Sequence, residues 1–218
     1  MKRNIFWFIG ALAVLCCTFA SCNDDDTPMA DPYSEWALRN AAYIDSIAGV
    51  AKNPPAGESW GMYLNYKLQN QNVGGIGSGI AWANSDYVYA KILPYKEGEV
   101  TELGAYPQSD KDTVVVHYRG RLIDGTVFDQ SYSGDWDERV SVPAEFTVGG
   151  VITGWSTMLW HMREGEHVEL YVPQGMAYGS SSSTDIPSYS ALVFDMRLEE
   201  IKHAKGPDDR SRKAELNE

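Results

Sequence analysis

The side chains best suited to chemistry in this chain are a carboxylate at Asp129, phenols at Tyr118 and Tyr178, and aromatic and branched apolar residues spaced around them. They fall in five pieces: Val116-His117-Tyr118-Arg119-Gly120, Asp124-Gly125-Thr126-Val127-Phe128-Asp129, Val151-Ile152-Thr153-Gly154-Trp155, Ala177-Tyr178-Gly179 and Leu192-Val193-Phe194-Asp195. These pieces contain no metal-ligand cluster, no nucleophile–base pair and no phosphate loop. They supply an apolar pocket with few polar groups, a site that acts on a bond by holding it out of water. His117, His161, His167 and His203 are scattered among apolar positions and read as structural rather than as metal ligands. The run 180–183 lacks a nucleophile elbow, and residues 74–79 lack the Gly-Lys-Ser/Thr ending of a phosphate loop.

In order and spacing the five pieces resemble the FKBP-type peptidyl-prolyl cis–trans isomerases, over roughly the last 115 residues before a charged tail. The resemblance implies an α+β fold, an antiparallel half-barrel sheet wrapped around a short helix, with the site between them. It makes Trp155 the floor for a proline ring and Phe128, Val151, Ile152 and Phe194 the walls. It gives Tyr118, Asp129 and Tyr178 the catalytic positions, with Asp129 bonded to Tyr118 and Tyr178 donating to a substrate carbonyl. Ile186 is expected to offer its backbone N–H to substrate, followed by Pro187. No cofactor or metal is implied. The expected activity is isomerisation of X–Pro bonds in exported, unfolded proteins. The alternative is a non-catalytic peptide-binding or chaperone module on the same scaffold.

Two departures concern the rim. Ala144 stands where familiar members carry a Phe wall, two residues before Phe146. The stretch Ser180-Ser181-Ser182-Ser183-Thr184-Asp185 replaces a loop that usually holds His and Gly-Pro. A wider mouth, an altered preference for the residue before proline and weaker macrolide binding are expected.

Several elements must position these residues. Apolar residues from Trp36 to Ala51 recur at mostly three- and four-residue spacing and predict a helix over 34–52, stopped by Asn53-Pro54-Pro55. That helix is expected to dock on the domain, the other option being a homodimer contact. Strands are predicted around 60–64 and over 86–93, 113–121, 126–129, 144–148, 166–172 and 190–201, with a helix from Trp155 to Met162 and a flap at 134–139. The expected organisation is 1–21 leader, 22–33 acidic tether, 34–84 helix and Gly/Asn-rich extension, 85–202 isomerase-like domain and 203–218 disordered charged tail.

The chain of 218 residues opens with Lys2 and Arg3, an apolar run from Ile5 to Phe19, then small residues before Cys22. That pattern predicts a cleaved export signal, since a retained span would need about 20 apolar residues. Phe19-Ala20-Ser21-Cys22 resembles a bacterial lipobox, so Cys22 is the expected lipidation site and membrane anchor. Cys16 and Cys17 would leave with the leader. Asn23-Asp24-Asp25-Asp26 resembles the export tag of Bacteroidetes lipoproteins, which places the protein in the cell envelope, periplasmic or surface-exposed. Loss of Lys2 and Arg3 takes the formal charge from −12 to −14, which excludes nucleic acid as a partner, because phosphates need basic residues to neutralise them.

Overall fold

The computed structural model describes residues 32–69, 81–93, 103–134, 136–137 and 141–204. The expected leader, the lipidation site Cys22, the tether up to Asp31, the Gly-rich loop 74–79 and the tail from residue 205 lie outside the described residues.

The first element, α1, runs Pro32–Lys52 and begins two residues before the expected start. Proline suits the first helical position, where its missing N–H would have no partner. Trp36, Asn40, Ile44 and Ala48 repeat at four-residue spacing and form its buried stripe. The Asn53-Pro54-Pro55 stop holds as expected.

Seven antiparallel strands follow: β1 (Ser59–Leu64), β2 (Tyr87–Ile92), β3 (Thr113–Arg121), β4 (Val127–Gln130), β5 (Ala144–Thr147), β6 (His167–Val172) and β7 (Leu192–Lys202). The sheet order is β1-β2-β6-β7-β3-β4. Along its full length β3 pairs with β7. Its other edge is shared, with β4 opposite residues 119–121 and β5 opposite 113–116. Between Val115 and Val116 the β7 register skips one residue, and Glu199 and Glu200 are both exposed there. Because β1 pairs with β2, the extension before residue 85 forms one edge of this same sheet.

Alternation sorts the strands onto two faces. A one-turn helix, α2 (Tyr66–Gln69), follows β1, and Val114, Val116, Tyr118, Leu170, Leu192, Phe194 and Met196 turn inward and pack with the short helix α3 (Thr153–Leu159). Tyr89, Tyr171 and Val193 turn outward and meet Ile44 and Ala48 of α1. The helix therefore docks on the sheet. It is bolted there by two buried bonds: Trp36 Nε1 donates to Ser190 Oγ at 2.9 Å, and Ala191 N donates to Asn40 Oδ1 at 2.7 Å.

Two expectations are corrected. The inner helix spans Thr153–Leu159 rather than Trp155 to Met162. After Leu159 the backbone closes three-residue bonds, His161 N to Met158 O and Met162 N to Leu159 O, so the buried run continues without the α-helical pattern. Two residues assigned to the tail are anchored: His203 Nδ1 lies 2.9 Å from Asp112 Oδ2, and Ala204 N donates to Asp112 Oδ1. Polar anchors hold a segment that has no apolar ones.

Candidate functional site

Between α3 and the inner face lies a cavity of about 420 Å³ lined by Tyr118, Phe128, Asp129, Phe146, Gly150, Val151, Ile152, Trp155, Tyr178 and Phe194. Eight of the nine predicted catalytic and substrate-binding residues are thus brought together. They arrive from several elements: Tyr118 from β3, Phe128 and Asp129 from β4, Val151 and Ile152 from the turn before α3, Trp155 from α3, Phe194 from β7 and Tyr178 from the loop after β6.

Trp155 is the floor. It is 4% exposed, and Tyr118, Phe146 and Phe194 stand edge-on to it with ring centroids 5.1, 5.5 and 5.2 Å away. Edge-to-face contact sets the negative face of one ring against the positive edge of another. Phe128 continues the wall, edge-on to Phe194 at 5.7 Å. Two glycines allow this packing. A Cβ on Gly120 would come within 2.6 Å of Phe128 and 2.9 Å of Phe194, and one on Gly154 within 2.3 Å of Val172. The dipeptide Gly154-Trp155 thus lets α3 press onto β6 while presenting the indole.

The polar groups stand at one side. Tyr118 Oη donates to Asp129 Oδ2 at 2.7 Å, as expected, and Gln130 N donates to Asp129 Oδ1 at 2.9 Å. Both carboxylate oxygens are therefore held. Burial, and then the Asp129 carboxylate, keep the Tyr118 phenol pKa well above the usual value, so Tyr118 stays protonated and donating. Tyr178 is half exposed at the rim, its ring free to meet an incoming chain.

Ile186 is the exception. It packs at the margin of the core rather than lining the cavity, and its N–H donates to Ser183 Oγ at 3.1 Å. Ser183 N returns a bond to Ile186 O at 2.9 Å, so the serine loop closes on itself and occupies the donor expected for substrate. Phe146 and Gly150 are the residues that sequence reasoning did not assign. For Phe146 the signal was available: the alternation of β5 sets it on the same face as Ala144, and its ring closes the wall beside Trp155.

Residues 104–199 match the family model described as FKBP-type peptidyl-prolyl cis-trans isomerase. This segment is FKBP-like in sequence. FkpA of Escherichia coli strain K12 is 41% identical over 130 residues, covering 60% of this chain and 43% of that protein. The FKBP-type 22 kDa peptidyl-prolyl cis-trans isomerase of the same strain is 48% identical over 99 residues, 45% of each chain. The crystal structure of FkpA from Escherichia coli matches with a TM-score of 0.53 at 29% identity, over 79% of this chain and 63% of that one. The chain thus spans less than half the length of these two curated relatives. Within the FKBP-type segment lie the whole pocket and α3, whereas α1, β1 and β2 precede it.

The histidines take polar or aromatic partners. His167 Nε2 lies 3.0 Å from Asp195 Oδ1, His117 Nε2 3.2 Å from Glu199, and His161 stacks on Tyr63 at 4.8 Å. Among the described residues no three His, Cys, Asp or Glu side chains are grouped to hold a metal.

Proposed function

We propose that the chain is a peptidyl-prolyl cis–trans isomerase that works on proline-containing segments of exported, unfolded proteins. The observation that carries this is the Trp155 floor ringed by Tyr118, Phe146 and Phe194, with Asp129 held at its edge. Rotation about a peptide bond meets a barrier of about 18–20 kcal/mol from amide resonance, while the two X–Pro isomers differ by only about 0.5–1 kcal/mol. The difficulty is therefore kinetic. Planar amides carry charge separation that the twisted state loses, so an apolar cavity favours the twisted state relative to the planar one. Each 1.36 kcal/mol removed from the barrier gives about tenfold in rate. Trp155 and Phe194 seat the proline ring, the Tyr178 hydroxyl donates to the neighbouring carbonyl, and the fixed Asp129 carboxylate faces the twisting amide without exchanging a proton. No covalent step is required.

The working place we propose is the cell envelope, with Cys22 lipidated and the residues between it and α1 as tether. The support is the leader pattern ending at Phe19-Ala20-Ser21-Cys22 and the acidic residues after it. A homodimer through α1 finds less support, because Ile44 and Ala48 already lie against the sheet. The rival reading, a binding module without turnover, is favoured by one feature, the Ile186 N–H bonded to Ser183.

A protease-coupled or fluorescence assay of X–Pro isomerisation separates the two, with Trp155→Ala and Asp129→Val alongside the parent protein. The parent is expected to accelerate isomerisation, Asp129→Val to lose about tenfold to a hundredfold in kcat/KM and Trp155→Ala more. A parent no faster than Trp155→Ala sinks the enzyme reading.

A further inference from the structure

A second cavity, of about 430 Å³, lies beside the proline pocket along α3 and the turn that precedes it. Its walls are Tyr66 and Gln69 of α2 (Tyr66–Gln69), Trp160 and His161 after α3, and Asp110 before β3. The two cavities are neighbours along the chain. Gly149 lines this one and Gly150 lines the proline pocket, while Ser156 faces this one and Trp155 the other. The divide between them is thus the exposed turn Gly149-Gly150, which carries no side chains and lets an extended polypeptide cross. From Trp155 to Trp160 the rise is about 7–8 Å at 1.5 Å per residue. An extended chain covers about 3.3–3.6 Å per residue, so two or three client residues span that axial rise.

The lining states what that residue should be. Tyr66 and Trp160 present aromatic surface, and Asp110 is the one charged group among the lining residues apart from a histidine. The Asp110 carboxylate accepts from Ser109 Oγ at a long 3.3 Å and has no ion-pair partner among the described residues. His161 adds no competing cation near neutral pH, because partial desolvation lowers its pKa below the ordinary histidine value. Lys67, the neighbour of Tyr66, donates to Thr153 Oγ1 at 3.0 Å and its Nζ lies 5.8 Å from the Tyr66 ring centroid, so it takes one place at that ring and leaves the Trp160 ring and the Asp110 carboxylate to a client's basic side chain. Long basic side chains suit such a place, with the stem on aromatic surface and the head at a carboxylate.

We propose that this cavity is a subsite for a lysine or arginine side chain of the same polypeptide whose proline occupies the aromatic pocket. It rests on the peptide-binding part of the reading above. Two of its walls, Tyr66 and Gln69, lie outside the FKBP-type segment 104–199, so the extension selects clients for a pocket that the family fold supplies. The net charge of −12 acts in the same direction, drawing basic segments toward the protein before they dock.

The test uses X–Pro peptides carrying lysine or norleucine at the second or third position on either side of proline, with the parent protein, Asp110→Asn and Asp110→Lys. For the parent, lysine at one of these positions should lower KM by about threefold to tenfold relative to norleucine, less in high salt. Asp110→Asn should remove the difference and Asp110→Lys reverse it, with kcat/KM for the norleucine peptides unchanged in both. Equal KM for lysine and norleucine at every position in the parent, or a lysine advantage that survives in Asp110→Asn, overturns the proposal. If no peptide is turned over, the isomerase reading fails by itself, and fluorescence anisotropy of the same labelled peptides decides the subsite by the same comparison.

Discussion

The two faces of the sheet carry similar alternating apolar rows, yet the proline-type pocket opens on one of them. On the outer face α1 has 21 residues, about 31 Å, and lays Ile44 and Ala48 along Tyr89, Tyr171 and Val193. On the inner face α3 has seven residues, about 10 Å, against strands as long as the eleven residues of β7, about 37 Å. A helix that short cannot cover the inner row. Tyr118 and Phe194 are buried edge-on against Trp155 of α3, while Phe128, Asp129 and Tyr178 stand beyond it on the open side, and the space between them is the site. The difference teaches that the pocket comes from a shortage of helix, not from any special strand chemistry.

Removing one large buried side chain from each face is the strongest way to break this comparison. Trp155→Ala is expected to cost about 3–5 kcal/mol and Ile44→Ala about 2–4 kcal/mol in urea unfolding. The two should part in activity per folded molecule: Trp155→Ala loses nearly all of it, and Ile44→Ala keeps it. Equal losses of activity among folded molecules would mean that the two faces do not separate stability from function.

Much of this is legible in the sequence. The bounds of β3 follow from a β-branched and aromatic run, and the stop of α1 from Asn53-Pro54-Pro55. The Trp155 floor and the Tyr118–Asp129 bond follow from the family resemblance, because they depend on residues spaced as in other members. What was illegible depends on register and on contacts far apart in sequence. Nothing local in Ser59–Leu64 says that it pairs with β2, nor that Asn40 reaches Ala191 across 151 positions. The Ile186 N–H illustrates the same limit. Its expected role came from family geometry, whereas its partner, Ser183, belongs to the loop in which this chain departs from the family.

The Asn40–Ala191 bond joins the faces, since Ala191 lies between the site loop and β7 and Ser190 Oγ donates to Pro187 O at 2.6 Å. Asn40→Ala leaves the buried Ala191 N–H without its acceptor, a cost of about 1–3 kcal/mol. Faster amide exchange at Ala191 and a raised KM with little change in kcat are expected, as the loop beyond Pro187 loses its anchor. Unchanged exchange at Ala191 would show that α1 is a passive cover and that the outer face has no say in the site.

The smallest effect is the most specific. Ser183 Oγ accepts the Ile186 N–H, while Ser183 N donates to Ile186 O, so the loop has two bonds across it and loses one in Ser183→Ala. A single exposed hydrogen bond contributes about 0.5–1.5 kcal/mol net, and the second bond keeps the loop closed. If a substrate carbonyl uses the Ile186 N–H, the serine hydroxyl competes with it for one donor. Its removal should then lower KM by about threefold or more, with kcat and unfolding midpoint nearly unchanged. If the N–H serves only the loop, the same substitution leaves KM where it was or raises it. In that case the rim of this pocket offers substrate the Tyr178 hydroxyl but not the Ile186 N–H, and the inner face is open to the proline ring and closed to the backbone beside it.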